Sequence, residues 1–151
     1  MMLSACAGSL TDVAGGHTQI LIDAMVVLPD RLHALWTLPA DDGDFSTRWM
    51  LIKQGFTKRL HAVSVLDVPA LQSRGGKGER SVWQRRYWEH QVRDDNDFAR
   101  HVDYIHFNPV KHGLVQRAAE WPHSSFHRYV REGKLGADWG VAVEDAARFG
   151  E

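Results

Sequence analysis

The residues with the most chemical potential stand in two short segments. In Pro29-Asp30-Arg31-Leu32-His33 an arginine and a histidine alternate with leucine, and in Tyr104-Ile105-His106-Phe107-Asn108-Pro109 a tyrosine precedes an asparagine by four residues. In a helix that spacing is about one turn. A tyrosine hydroxyl can act as a covalent nucleophile once its proton is removed. An imidazole and a carboxamide oxygen are metal donors, Mg2+ wanting oxygen and Mn2+ accepting imidazole as well. Together the two segments have the parts of a metal-assisted tyrosine nucleophile. Taken singly, each residue has a more ordinary explanation. Tyr104 fits a partly buried tyrosine with a satisfied hydroxyl, Asn108 a helix end before Pro109, and His33 a hydrogen-bonded core histidine among apolar neighbours.

These residues need elements to position them. Ile20 to Leu28 is apolar and rich in branched residues, which predicts a buried strand. Pro29-Asp30 is a turn signal, and Leu32 to Leu38 predicts a second strand returning antiparallel. On it Arg31, His33 and Leu35 share one face, and Leu32, Ala34 and Trp36 the other. Ser46 or Thr47 is expected to cap a helix to about Val63. Its stripe Trp49, Ile52, Phe56, Leu60 and Val63 should pack on the sheet. Residues 69–80, with Arg74-Gly75-Gly76-Lys77-Gly78, read as a loop without P-loop spacing. A strand is expected over Tyr87–Val92. Asp94 or Asp95 then caps a helix to about Phe107, ended by Pro109 and Gly113. On that helix Phe98, Val102 and Ile105 form an apolar face, with His101, Tyr104 and Asn108 roughly 90° away, side by side at a groove. A shorter helix covers Ser124 to Arg131. The order of elements predicts an α+β fold, an antiparallel β-sheet flanked by α-helices. A weakly structured segment at 1–17, one domain over 18–140 and a tail at 141–151 complete the expected organisation.

The 151 residues, 44% hydrophobic and 25% charged, suit one globular domain. Cys6 is the sole cysteine, which excludes a disulfide framework and a cysteine-based zinc site. No apolar run reaches about 18 residues, so no membrane span is expected, and the start has no basic signal-peptide region. The expected location is the cytoplasm. Net charge is −1, but Ser46 to Arg93 holds ten basic and three acidic residues. Such a stretch, interleaved with Trp49, Trp83, Tyr87 and Trp88, suits phosphate contacts and base stacking. A solvated helix face with a polar loop explains the charge equally simply.

Four segments taken together are more specific. They are Val26 to Pro39, Trp83-Gln84-Arg85-Arg86-Tyr87-Trp88-Glu89-His90, Asp103 to Val115, and Trp121-Pro122-His123-Ser124-Ser125-Phe126. In this order they resemble the REP-associated tyrosine transposases, relatives of the single-tyrosine IS200-like transposases in the HUH endonuclease group. The resemblance covers roughly Ile22 to Gly140. It implies a ferredoxin-like antiparallel sheet flanked by helices, and strand cleavage and rejoining of single-stranded or hairpin (REP-type) DNA through a 5′-phosphotyrosine. Carried over by motif, Tyr104 is the nucleophile, and His33 and Asn108 are ligands of a Mg2+ or Mn2+ ion. Arg31, Arg48, Lys53, Lys58, Arg59, Arg85, Arg86 and Lys111 are the expected DNA contacts. The REP-associated branch implies a monomer, while the insertion-sequence relatives imply the alternative, a dimer.

Two departures set the expectation for activity. The family pattern His-x-His reads Arg31-Leu32-His33 here. A guanidinium has no lone pair and stays protonated, which leaves two protein ligands and a repelling charge. Arg31 could hold the scissile phosphate instead, since its planar fork suits that role. The family also has an additional strand and preceding segment at the N-terminus, where about twenty residues precede Ile22 here, as a shortened gene or a misplaced start would give. The alternatives are therefore a catalytically inactive DNA-binding remnant and a decayed gene fragment.

Overall fold

The computed structural model of the chain describes residues 2–8, 20–39, 42–63, 83 and 88–141. Within these, strands β1 (Met2–Gly8), β2 (Leu21–Val27), β3 (Arg31–Thr37) and β4 (Trp88–Gln91) combine with helices α1 (Phe45–Val63), α2 (Asp95–Lys111) and α3 (Phe126–Arg131), and a 3-10 turn covers Ala118–Glu120. The expected loop at 69–80, Arg85 and Arg86, and the tail at 142–151 lie outside the described residues.

The hairpin forms where alternation and the Pro29-Asp30 turn place it. β2 and β3 pair antiparallel with Val26 opposite His33 and Val27 opposite Leu32, and Leu28 N–H donates to Arg31 C=O at 2.8 Å to close the turn. The α+β class is found, with this hairpin as its antiparallel unit. The sheet runs β2-β3-β1-β4, and β1 lies parallel to both β3 and β4. A strand forms at Met2–Gly8, where weak structure was expected over 1–17, and residues 9–17 of that segment lie outside the described residues. The strand's sequence, Met-Leu-Ser-Ala-Cys-Ala-Gly, has little strand signal of its own. Pairing with two waiting strand edges, rather than side-chain pattern, decides its conformation.

The two faces of β3 go to different cores. Leu35 joins Ala24, Val26 and Leu28 of the hairpin with Val102 and Ile105 of α2. Ala34 and Trp36 join Trp49 of α1, whose ring stacks on Trp36 at 4.3 Å. Beyond Trp49, Ile52 and Phe56 of the expected α1 stripe do not pack on the sheet. Both are exposed, and Phe56 packs edge-on against Trp83 instead. The side chains of Leu60 and Val63 lie outside the description. The α1 cap is also different: the Asp44 carboxylate accepts from Thr47 N–H and Ser46 O–H, both at 3.1 Å. A carboxylate supplies both an acceptor and a favourable charge at a helix N-terminus.

α2 starts where expected, with Asp94 accepting from Asp97 N–H at 2.8 Å. It does not stop at Phe107. Pro109 sits inside the helix, which continues to Lys111. The end is then built by Gly113 at φ 66°, with Gly113 N–H to Val110 C=O and Leu114 N–H to Pro109 C=O, both 2.9 Å. This paired arrangement satisfies the last carbonyls. The open edge of β2 is covered by the segment after α2. Val27 N–H donates to His123 C=O, Ser125 N–H to Met25 C=O, and the Trp121 indole to Val27 C=O. Among the described residues no helix is long and apolar enough to cross a membrane.

Candidate active site and nucleic-acid interface

The α2-facing side of β3 carries Arg31 and His33 toward the C-terminal half of α2. The His33 ring stands edge-on to the Tyr104 ring, with centroids 5.6 Å apart and planes at 86°. His33 is buried, and neither ring nitrogen has a hydrogen-bond partner. Burial first, then the charges of Arg31 and His112, push its pKa down to about 4. At neutral pH it is therefore an uncharged imidazole with an available lone pair. Tyr104 is half-buried, and Lys111 Nζ lies 5.3 Å from its ring centroid.

Asn108 is one turn on, but fully buried rather than at an open groove beside Tyr104. Its Nδ2 donates to the Tyr104 carbonyl at 3.4 Å, and Oδ1 has no partner. The reason is that α2 continues past Pro109, which keeps Asn108 on the wall packed against the rest of the fold.

No protein-family model matches the chain. A REP-associated tyrosine transposase of Escherichia coli strain K12 is 45% identical over 124 residues, which is 82% of this chain and 65% of that protein. A Haemophilus influenzae protein named "Putative REP-associated tyrosine transposase" is 43% identical over 117 residues, 78% of this chain and 65% of its own length. A solved structure of a REP-associated tyrosine transposase bound to a REP hairpin is 43% identical, with a TM-score of 0.64, covering 85% of this chain and 68% of that one. The chain belongs to the REP-associated tyrosine transposase family. It spans 65% of the length of the two curated relatives.

Family membership makes a divalent ion at His33 and Asn108 worth testing on this chain's own donors. Both His33 ring nitrogens and Asn108 Oδ1 are buried without a hydrogen-bond partner. The third position is the guanidinium of Arg31, a fixed positive charge with no lone pair. Two neutral donors beside a cation do not fit a divalent ion, which wants several oxygen or imidazole ligands.

Arg31 is instead part of a charged cluster. Its Nε and Nη2 donate to the two Asp30 carboxylate oxygens at 3.0 and 2.8 Å, and Nη1 lies 3.3 Å from His112 Nε2. Asp30, held well below the usual carboxylate range chiefly by this hydrogen bond, stays ionised. Sequence reasoning did not single out Asp30 or His112. The available signal was spacing: His112 is one further turn beyond Asn108, and Asp30 adjoins Arg31.

The expected DNA contacts separate in the structure. Lys58 and Arg59 are exposed on α1, whereas Arg48 is bound to Asp42 and Lys53 is half-buried. Burial lowers the Lys53 pKa.

A second cluster was also missed. His90 Nε2 lies 2.8 Å from Asp97 Oδ2, and His101 Nδ1 lies 2.7 Å from the Asp97 carbonyl and 3.2 Å from its Oδ1. Donor atoms from these three residues all fall within 4.8 Å of one another, close enough to hold a metal. The two imidazoles are, however, stacked at 4.7 Å with planes 15° apart. Ring lone pairs in parallel planes do not converge on one point. The arrangement works as a hydrogen-bonded clasp that fastens β4 to the start of α2.

Proposed function

We propose that the chain is a transposase-like protein that binds single-stranded or hairpin DNA of the REP type as a monomer, with Tyr104 at the strand-transfer position. The observation that carries this reading is the likeness to a family member solved on a REP hairpin, at 43% identity. The exposed Lys58 and Arg59, with Arg31 and Lys111 beside Tyr104, supply the positive surface that phosphate binding requires.

In the proposed chemistry the Tyr104 oxygen forms a bond to a DNA phosphorus while the bond from phosphorus to the 3′ oxygen breaks. Tyrosine loses its proton, and the departing 3′ oxygen takes one up. The 5′-phosphotyrosyl link conserves the bond for rejoining. The family's divalent ion, Mg2+ or Mn2+, would polarise the phosphate, but the donor set here does not fit one. That mismatch favours a second reading, a DNA-binding protein that does not cleave.

The two readings separate on a labelled hairpin oligonucleotide carrying single-stranded flanks. Retarded mobility of the native complex at moderate salt is expected. After denaturation in the presence of Mn2+, a covalent adduct in the native protein that Tyr104→Phe removes would establish cleavage. An adduct found only in Arg31→His, and lost in Arg31→His with Tyr104→Phe, would identify the native chain as the binding form. Absence of hairpin binding by the native protein would overturn the proposal.

A further inference from the structure

We propose that Arg31, Lys111 and His112 form a metal-independent binding site for one backbone phosphate of single-stranded DNA beside the Tyr104 ring. This rests on the DNA-binding reading above and gives its site a specific ligand. Two elements build the site. Arg31 opens β3, Lys111 is the last residue of α2, and His112 caps that helix. Nη1 of Arg31 reaches to 3.3 Å from His112 Nε2, and Lys111 Nζ stands over the Tyr104 ring at 5.3 Å. The cationic groups therefore surround the tyrosine from the strand side and the helix side.

The guanidinium is already oriented. Asp30 holds its Nε and Nη2 edge, which leaves Nη1 on the side of His112 and α2. Arg31 and Lys111 carry permanent charges, His112 adds an imidazole, and the Asp30 carboxylate that pairs with Arg31 is 65% exposed in its side chain. Water screens such an exposed partner, so an arriving phosphate competes with it on favourable terms. The C-terminal end of a helix dipole opposes an anion. Here the paired bonds from Gly113 and Leu114 N–H to the last carbonyls reduce that opposition. A guanidinium gives an oxyanion two directed charge-assisted hydrogen bonds, and a lysine adds a point charge. The position that would carry a metal ligand thus carries the positive charge itself.

The test is equilibrium binding of a fluorescent hairpin oligonucleotide with a single-stranded flank, in excess EDTA, across a salt series. The native protein should bind equally, within about twofold, in EDTA and in Mn2+. Arg31→Ala should weaken binding by about tenfold or more and lower the salt slope by about one. Lys111→Ala should lower the slope similarly, and Asp30→Asn should tighten binding by removing the competing carboxylate. Arg31→His should bind weakly in EDTA and recover in Mn2+. A second measurement leaves the protein unchanged: single methylphosphonate links, walked through the flank, should reveal one position whose neutralisation weakens native binding but not Arg31→Ala. Inorganic phosphate in excess should displace native protein at that site if free anion is held as well as DNA, and should not if the strand is required. A native complex that needs Mn2+, or an Arg31→Ala variant with native affinity and slope, overturns the phosphate site while leaving DNA binding intact. A native protein that does not bind the hairpin at all overturns both.

Discussion

His106 of α2 and Ser125, nineteen residues further on, are joined by a 2.8 Å hydrogen bond between Nε2 and Oγ. The same Ser125 oxygen accepts the Met25 backbone N–H at 2.8 Å. One hydroxyl therefore ties the helix that carries Tyr104 to the edge strand of the sheet. Oγ accepts from Met25 and keeps both its own proton and a second lone pair, so it can complete the bond to His106 Nε2 in either imidazole tautomer. Ser125→Ala removes both bonds and strands a backbone donor and an imidazole nitrogen in the interior. A loss of roughly 2–3 kcal/mol is expected, read as a lower urea midpoint with unchanged slope. Ser125→Thr should retain much of it.

Acid should destabilise this fold through two histidines. Burial, with nearby positive charge, lowers the pKa of both His33 and His106 from 6.5 to about 4. Between those values the unfolded chain binds protons that the folded chain refuses. Stability is therefore complete above about pH 6.5 and falls as pH drops toward 4. Each histidine accounts for at most roughly 3 kcal/mol, a large share of a typical domain's stability. Urea titrations at pH 7.5 and 4.5 should show the drop, and His33→Asn should flatten part of it. A stability that is constant across this range would contradict the burial of both rings.

How much of this was readable beforehand depended on whether local signals or distant partners decide the structure. The β2–β3 hairpin follows from the apolar run, Pro29-Asp30 and the alternation that sends Leu35 and Trp36 to opposite cores. The start of α2 follows from Asp94. The family followed from motifs, and so did the closeness of the Tyr104 and His33 rings. β1 did not, because its pairing comes from strands far along the chain. The end of α2 was misplaced because Pro109 suggests a stop, while the Gly113 bonding shows where the helix ends. The burial of Asn108 and the Arg31–His112 contact needed three-dimensional packing: 81 residues separate that last pair.

Gly140 should resist substitution. It has φ 76°, and a Cβ added there would sit 3.1 Å from the Ala118 Cβ and 3.6 Å from Phe107 Cδ2. The left-handed backbone is costly for alanine, and the crowding falls on the Phe107, Ala118 and Phe126 core. Gly140→Ala is expected to cost about 1–2 kcal/mol, detectable as a lowered melting temperature. By contrast Gly133→Ala meets no atom within 4 Å. Its penalty should come from its positive φ alone and be smaller.

The helix bearing Tyr104 depends on its first turn as well. Asp94 caps it through the Asp97 N–H, and Asp94→Ala should cost about 1 kcal/mol. Asp97 has a separate task, holding His90 and His101. If those three form a clasp rather than a metal centre, equimolar Zn2+ should leave the melting temperature unchanged. A metal site would raise it, because binding to the folded state alone adds stability by mass action. Asp97→Asn gives a second reading of the same question. It keeps an oxygen acceptor for the Arg93 backbone N–H, now 3.1 Å from Oδ2, but removes the charge that draws both imidazoles. The clasp therefore predicts lower stability in Asp97→Asn with no zinc added, and faster amide exchange at the β4–α2 junction. A variant that matches the native protein until zinc is supplied would point to the metal instead.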